Sequence, residues 1–70
     1  MMTGDEYRDA IEKLNLSQVG AADFLGVDDT TSRRWIADKH PMPRATELLL
    51  RAMVHYKLTP SRVAKLIPKE

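Results

Sequence analysis

The sequence predicts an all-α fold of five helices, and three observations carry that prediction. Apolar residues recur at three- and four-residue steps, as in Tyr7, Ala10, Ile11 and Leu14, which gathers their side chains along one side of a helix. Residues that cap helix starts stand just ahead of such runs, at Thr3, Ser17 and Asp28. No stretch carries the two-residue alternation of a half-buried strand.

In chain order, Thr3-Gly4-Asp5-Glu6 reads as a capping box, with Thr3 as N-cap and Glu6 reaching back to its amide. Asp5, Glu6 and Asp9 suit the positive end of the helix dipole. The first helix then packs Tyr7, Ile11 and Leu14 on the core, and Asn15-Leu16 connects it to the next. Ser17 caps the second helix, whose apolar side is Val19, Ala21, Ala22 and Leu25; Gly20 is a weak point, costing about 1 kcal/mol relative to alanine. Gly26 ends it by taking the left-handed backbone conformation that a Cβ resists. Val27 turns back to the core, and Asp28 caps a third helix running to about Ala37.

Lys39-His40-Pro41-Met42-Pro43-Arg44 forms a basic, proline-punctuated loop, with Pro43 suited to the first position of a fourth helix. In that helix Leu48, Leu49, Ala52, Met53 and Tyr56 share one side, with Leu50 and Val54 off the stripe. Thr59-Pro60 opens a short last helix with Val63, Leu66 and Ile67 on one face, ended by Pro68.

The chain has 70 residues and no cysteine. It reads as one small domain near the lower limit for an unaided core, with neither a disulfide framework nor a thiolate metal site. Neither an apolar run of membrane-spanning length nor a signal-peptide core is visible, so a soluble, intracellular protein is expected. Net charge is only +1 but unevenly spread. Residues 1–29 hold seven acids and two bases, a balance of −5; residues 30–70 hold three acids and nine bases, a balance of +6. Such a field steers one face toward phosphates, or simply reflects a mixed solvated surface.

An enzyme is not expected. There is no cysteine nucleophile, no glycine-rich phosphate loop and no paired carboxylates with an obvious cleft, and His55 and Ser61 are separated by a proline-started turn. No cofactor, metal or small-molecule substrate is expected.

The string SQVGAADFLGVDDTTSRRW, from Ser17 to Trp35, places Ala22 four residues and Gly26 eight residues after Gln18. A small residue lets two helices approach, and glycine permits the sharp turn. Together with the Ser-Gln opening, Ala-Ala, Leu-Gly-Val and Thr-x-x-Arg-Trp, this resembles the Cro/C1-type (Xre-like) helix-turn-helix family of bacterial and phage DNA-binding proteins. The resemblance covers about residues 5 to 67.

It implies a compact, lambda-repressor-like domain over residues 1–70, with the motif at about 17–37 and a short C-terminal tail at 68–70. It also implies a cytoplasmic, nucleoid-associated transcriptional regulator, a repressor by expectation, that binds duplex DNA as a homodimer. Base reading falls by residue match to Asp29, Thr30, Arg33 and Arg34. Arginine bridges guanine O6 and N7, and aspartate accepts from the cytosine amine or simply stabilises the first helical turn. Gln18 takes a backbone-contact and buttressing role, while Lys39, His40 and Arg44 are candidate phosphate contacts.

Two departures from the family pattern stand out. Ser32 replaces a usual buried Val or Ile, which is expected to loosen the third helix, and Asp38 replaces a helix-ending glycine. Trp35 is expected in the core. Leu50, Val54, Leu58 and Ile67 are the candidate dimer contacts, with monomer burial as the competing explanation. The alternative function is a protein-interaction module, antitoxin-like or a phage accessory factor, with weak or no DNA binding.

Overall fold

The computed structural model describes residues 1–68, which form five α-helices and no strand. Helix α1 spans Gly4–Lys13, α2 Gln18–Leu25, α3 Asp29–Ile36, α4 Arg44–His55 and α5 Pro60–Ala64. Four of the five begin with a side chain that accepts an amide left without an intrahelical partner. Thr3 and Glu6 close the reciprocal box at 3.1 and 2.9 Å. Ser17 accepts from Gly20 N, Asp28 from Thr31 N and Thr59 from Arg62 N.

The ends of α1 to α4 follow one rule. The amide just past each left-handed residue returns to a carbonyl five positions back: Leu16 to Ile11, Val27 to Ala22, Lys39 to Arg34 and Leu58 to Met53. The left-handed residues are Asn15, Gly26, Asp38 and Lys57. Only α2 uses the glycine that this conformation favours; Asp38, at φ 57°, keeps the turn as expected from its short polar side chain.

Helix α1 is the hub, packing on both α3 and α4, while α2 packs on α3. Tyr7, Ile11, Leu14, Ala21, Trp35, Leu50 and Met53 form the core, closed by Met2 and Met42. Trp35 is a core residue, its ring edge-on to Tyr7 with centroids 5.6 Å apart. The first turn of α1 presses on the last turn of α3. A Cβ on Gly4 would overlap the Ile36 carbonyl, and Gly4 N donates to Asp38 Oδ1 at 2.7 Å. Across the α1–α4 contact, Arg51 bridges Glu47 at 2.8 Å and Glu6 at 3.4 Å.

Several sequence expectations are corrected. In α4 the core side is Leu50 and Met53, with Val54 partly buried. Leu48, Leu49 and Tyr56 are exposed, so the buried stripe is rotated by roughly a third of a turn from the expected one. The helix is apolar enough to offer two faces, and the partner α1 selects between them. Leu50 is therefore unavailable as a dimer contact; Val54 and Leu58 pack against the core, leaving Ile67 exposed among those candidates.

Val19 is exposed, because Ala21 and Ala22 take the α2 contact. Pro43 precedes rather than begins α4, and it supplies no side-chain cap. Helix α5 stops at Ala64, so only Val63 of its expected face reaches the core, while Leu66 and Ile67 are exposed. Of the expected tail 68–70, Pro68 is non-helical, and Lys69 and Glu70 lie outside the described residues. No helix among the described residues is long and apolar enough to cross a membrane.

Candidate nucleic-acid interface

Helix α3 has an inner and an outer side. Its inner side buries Ser32 and Trp35, with Thr31 and Ile36 partly covered. Its outer side exposes Asp29, Thr30, Arg33 and Arg34, which the i, i+3 and i+4 steps of a helix place on one surface. Neither arginine enters an ion pair among the described residues. The acids lie at the N-terminal end and the bases in the last turn, so both also suit the helix dipole.

The N-terminus of α3 is closed by its own side chains. Asp28 Oδ1 accepts both Thr31 N and Thr31 Oγ1 at 2.8 Å. These bonds, the backbone one first, hold the Asp28 carboxyl below its ordinary range, with the nearby Arg34 charge adding to them. Thr31 is thus occupied locally. Asp29 has no side-chain hydrogen bond among the described residues.

Alongside the burial of Trp35, polar bonds fix α3 in place. The expectation that Ser32 loosens this helix is not met: Ser32 is fully buried and tied to both neighbouring helices. Its Oγ donates to the Gln18 carbonyl at 3.2 Å and lies 2.8 Å from the Tyr7 hydroxyl. With the serine proton directed to Gln18, Tyr7 is the donor in the second bond. Burial pushes the Tyr7 phenol pKa up, and the Ser32 bond acts in the opposite, smaller sense. One hydroxyl therefore joins α1, α2 and α3 at the middle of α3.

The expected flanking residues are brought in unequally. Gln18 is exposed at the first position of α2, and its carbonyl is the group bonded to Ser32, so it stands beside α3. Lys39 is exposed and joined to the last turn of α3 through its amide bond to Arg34. His40 and Arg44 are exposed on the following segment; Met42, buried between them, anchors it to the core. No hydrogen bond among the described residues connects His40 or Arg44 with α3, and the His40 Nδ1–H donates to the adjacent Pro41 carbonyl at 3.1 Å.

Sequence reasoning missed the Tyr7–Ser32–Gln18 node and the Gly4–Asp38 tie. The first had a signal: a tyrosine on the core stripe of one helix and a serine on the inner side of another, each needing a partner. The second had none, since Gly4 and Asp38 are distant in sequence. No protein-family model, no curated protein and no solved structure matches the chain.

Proposed function

We propose that this protein binds duplex DNA with α3 in the major groove and acts as a transcriptional regulator, α2 and α3 forming a helix-turn-helix of the lambda-repressor-like plan. The observation that carries the reading is the two-sidedness of α3: an inner side pinned by Ser32 and Trp35, and an outer side of uncommitted Asp29, Thr30, Arg33 and Arg34. A helix held this way presents those side chains with little freedom of rotation. Arg33 and Arg34 reach guanine edges, Thr30 a thymine methyl or a phosphate, and Asp29 a cytosine amine. Gln18, Lys39, His40 and Arg44 contact the phosphates that set orientation.

Regulation follows from occupancy. A bound domain changes polymerase access without chemistry of its own, and a repressor in the cytoplasm is the simplest case. The −5 and +6 charge balances of residues 1–29 and 30–70 orient the domain as it approaches the duplex.

The test is fluorescence anisotropy against mixed-sequence duplex at two salt concentrations, with an Arg33→Ala/Arg34→Ala double variant alongside. Each lost phosphate contact flattens the slope of log K against log salt by about 0.9. Loss of a base contact instead weakens selected sites only. Absence of binding at low salt overturns the reading. A second reading, a protein-interaction module, is favoured by one observation: the apolar residues Leu48, Leu49 and Tyr56 left exposed on α4.

A further inference from the structure

Asp38 is a carboxylate at the wrong end of one helix and the right end of another. It follows Ala37, the C-cap of α3, and the carbonyl end of a helix repels a negative side chain. Its Oδ1 is turned instead to the start of α1, where Gly4 N donates to it at 2.7 Å. That amide is one of the four that a helix leaves without an internal partner, at the end that favours an anion. The approach depends on Gly4, because a Cβ there would overlap the Ile36 carbonyl. One carboxylate therefore joins the end of α3 to the start of α1, across 34 residues of sequence.

What this tie holds is the basic loop. Asp38 is left-handed, at φ 57°, and the next amide, Lys39 N, returns to the Arg34 carbonyl at 2.8 Å. Lys39 is thus anchored on the turn that carries Arg33 and Arg34. On the far side of the loop, Met42 is buried against the core. Only Lys39, His40 and Pro41 lie between the two anchors. Proline fixes its own φ and restricts the residue before it, so the span has few ways to move while both ends are held. Release of Asp38 from Gly4 frees one end.

We infer that Asp38 is a positioning residue for duplex DNA. Its bond to Gly4 N holds Lys39 at a set place beside the last turn of α3, so that α1 fixes where the phosphate contact falls relative to Arg33 and Arg34. The inference rests on the proposed function and adds to it a residue that acts through Lys39 rather than on DNA itself. Its sign is opposite to that of plain electrostatics. By charge alone, removing an exposed acid beside a phosphate contact strengthens binding; through the tie, removing it weakens binding.

The test compares Asp38→Gly with Asp38→Asn in the full chain, by anisotropy titration against mixed-sequence duplex DNA at about 50 and about 200 mM salt. Both variants lose the same negative charge, and both new residues tolerate the left-handed turn. Only asparagine keeps a side-chain oxygen that accepts the Gly4 amide. The asparagine variant is expected to bind at least as well as the wild type. The glycine variant is expected to lose one phosphate contact, which flattens its slope by about 0.9, so its deficit against asparagine shrinks about threefold across that salt range. In a Lys39→Ala background the two variants are expected to bind alike, a coupling that a loss of stability alone does not produce. The glycine variant is expected to keep the helical circular dichroism of the wild type. A loss of helicity overturns the positioning role, because the tie then carries the fold as a whole. Equal binding by the two variants, or a difference that persists without Lys39, overturns the inference alone and leaves the proposed function standing. A wild type that binds no duplex at low salt overturns the proposed function, and the inference with it.

Discussion

The Tyr7–Ser32–Gln18 node makes a quantitative prediction, because its members are coupled through one hydroxyl. Tyr7→Phe removes the donor to Ser32 Oγ but leaves the Ser32 bond to the Gln18 carbonyl. The loss is one hydrogen bond, about 1 kcal/mol net. Ser32→Ala does more, since it strands the Tyr7 hydroxyl in a fully buried site. An unsatisfied buried hydroxyl costs about 1–3 kcal/mol, and the small void left by the lost Oγ adds to it. Once Tyr7 is Phe, Ser32→Ala no longer strands anything on α1. The double variant is therefore less destabilised than the sum of the singles, by about 1 kcal/mol.

The assay is urea unfolding of the four proteins of the cycle, followed by the fluorescence of the single tryptophan and by circular dichroism. Trp35 touches Tyr7 edge-on, so the Tyr7 variants also move the native fluorescence, and circular dichroism supplies the independent baseline. Strict additivity within about 0.3 kcal/mol refutes the node as an energetic unit. So does Ser32→Val in the wild-type background raising stability. The added methyls would then have found room that the buried Tyr7 hydroxyl, 2.8 Å from Ser32 Oγ, is held to occupy.

Four further outcomes are expected. Gly4→Ala forces a methyl into the Ile36 carbonyl and costs about 3 kcal/mol of unfolding free energy; Gly26→Ala, at φ 74° with open space around its Cβ, costs only about 1–2 kcal/mol, and the contrast is read by chemical denaturation. Lys57→Gly relieves a left-handed lysine at φ 56° and raises stability by about 0.5–1 kcal/mol, seen as a higher denaturation midpoint. On the acid side, hydrogen bonds from Thr3 and Arg51 hold Glu6 low, and Arg51 holds Glu47 low, both below 4.5. Such depressed carboxyls stabilise the fold above their unfolded pKa and lose that effect as pH falls, so the thermal midpoint is flat above about pH 5 and drops below it. Arg51→Gln makes the drop shallower. On the alkaline side, the buried Tyr7 phenol titrates above 10.0. A raised pKa contributes stability that is lost as pH climbs through it, so in a Tyr56→Phe background the phenolate absorbance of Tyr7 rises together with unfolding.

The parts of this fold that were legible in the sequence are those decided locally. Thr3 with Glu6, Ser17, Gly26 and Asp28 each act within a few residues of themselves, so their spacing predicts the helix starts and the α2–α3 turn. The exposed positions of α3 were legible for the same reason, since burying Trp35 fixes the helix rotation and turns Asp29, Thr30, Arg33 and Arg34 outward.

What the sequence hid was decided by partners. An α4 with apolar residues around most of its circumference supports two core stripes equally, and the choice waits on α1, which takes Leu50 and Met53 and ties itself across through Glu6 and Arg51. Ser32 reads as a defect until Tyr7 stands opposite it. The two misreadings share a cause: periodicity reports how much apolar surface a helix carries, not which side meets a neighbour or which polar atoms meet each other. Their consequences differ. Ser32 replaces apolar packing with directional bonds that fix α3 at one rotation, whereas the rotated stripe of α4 leaves Leu48 and Tyr56 in water.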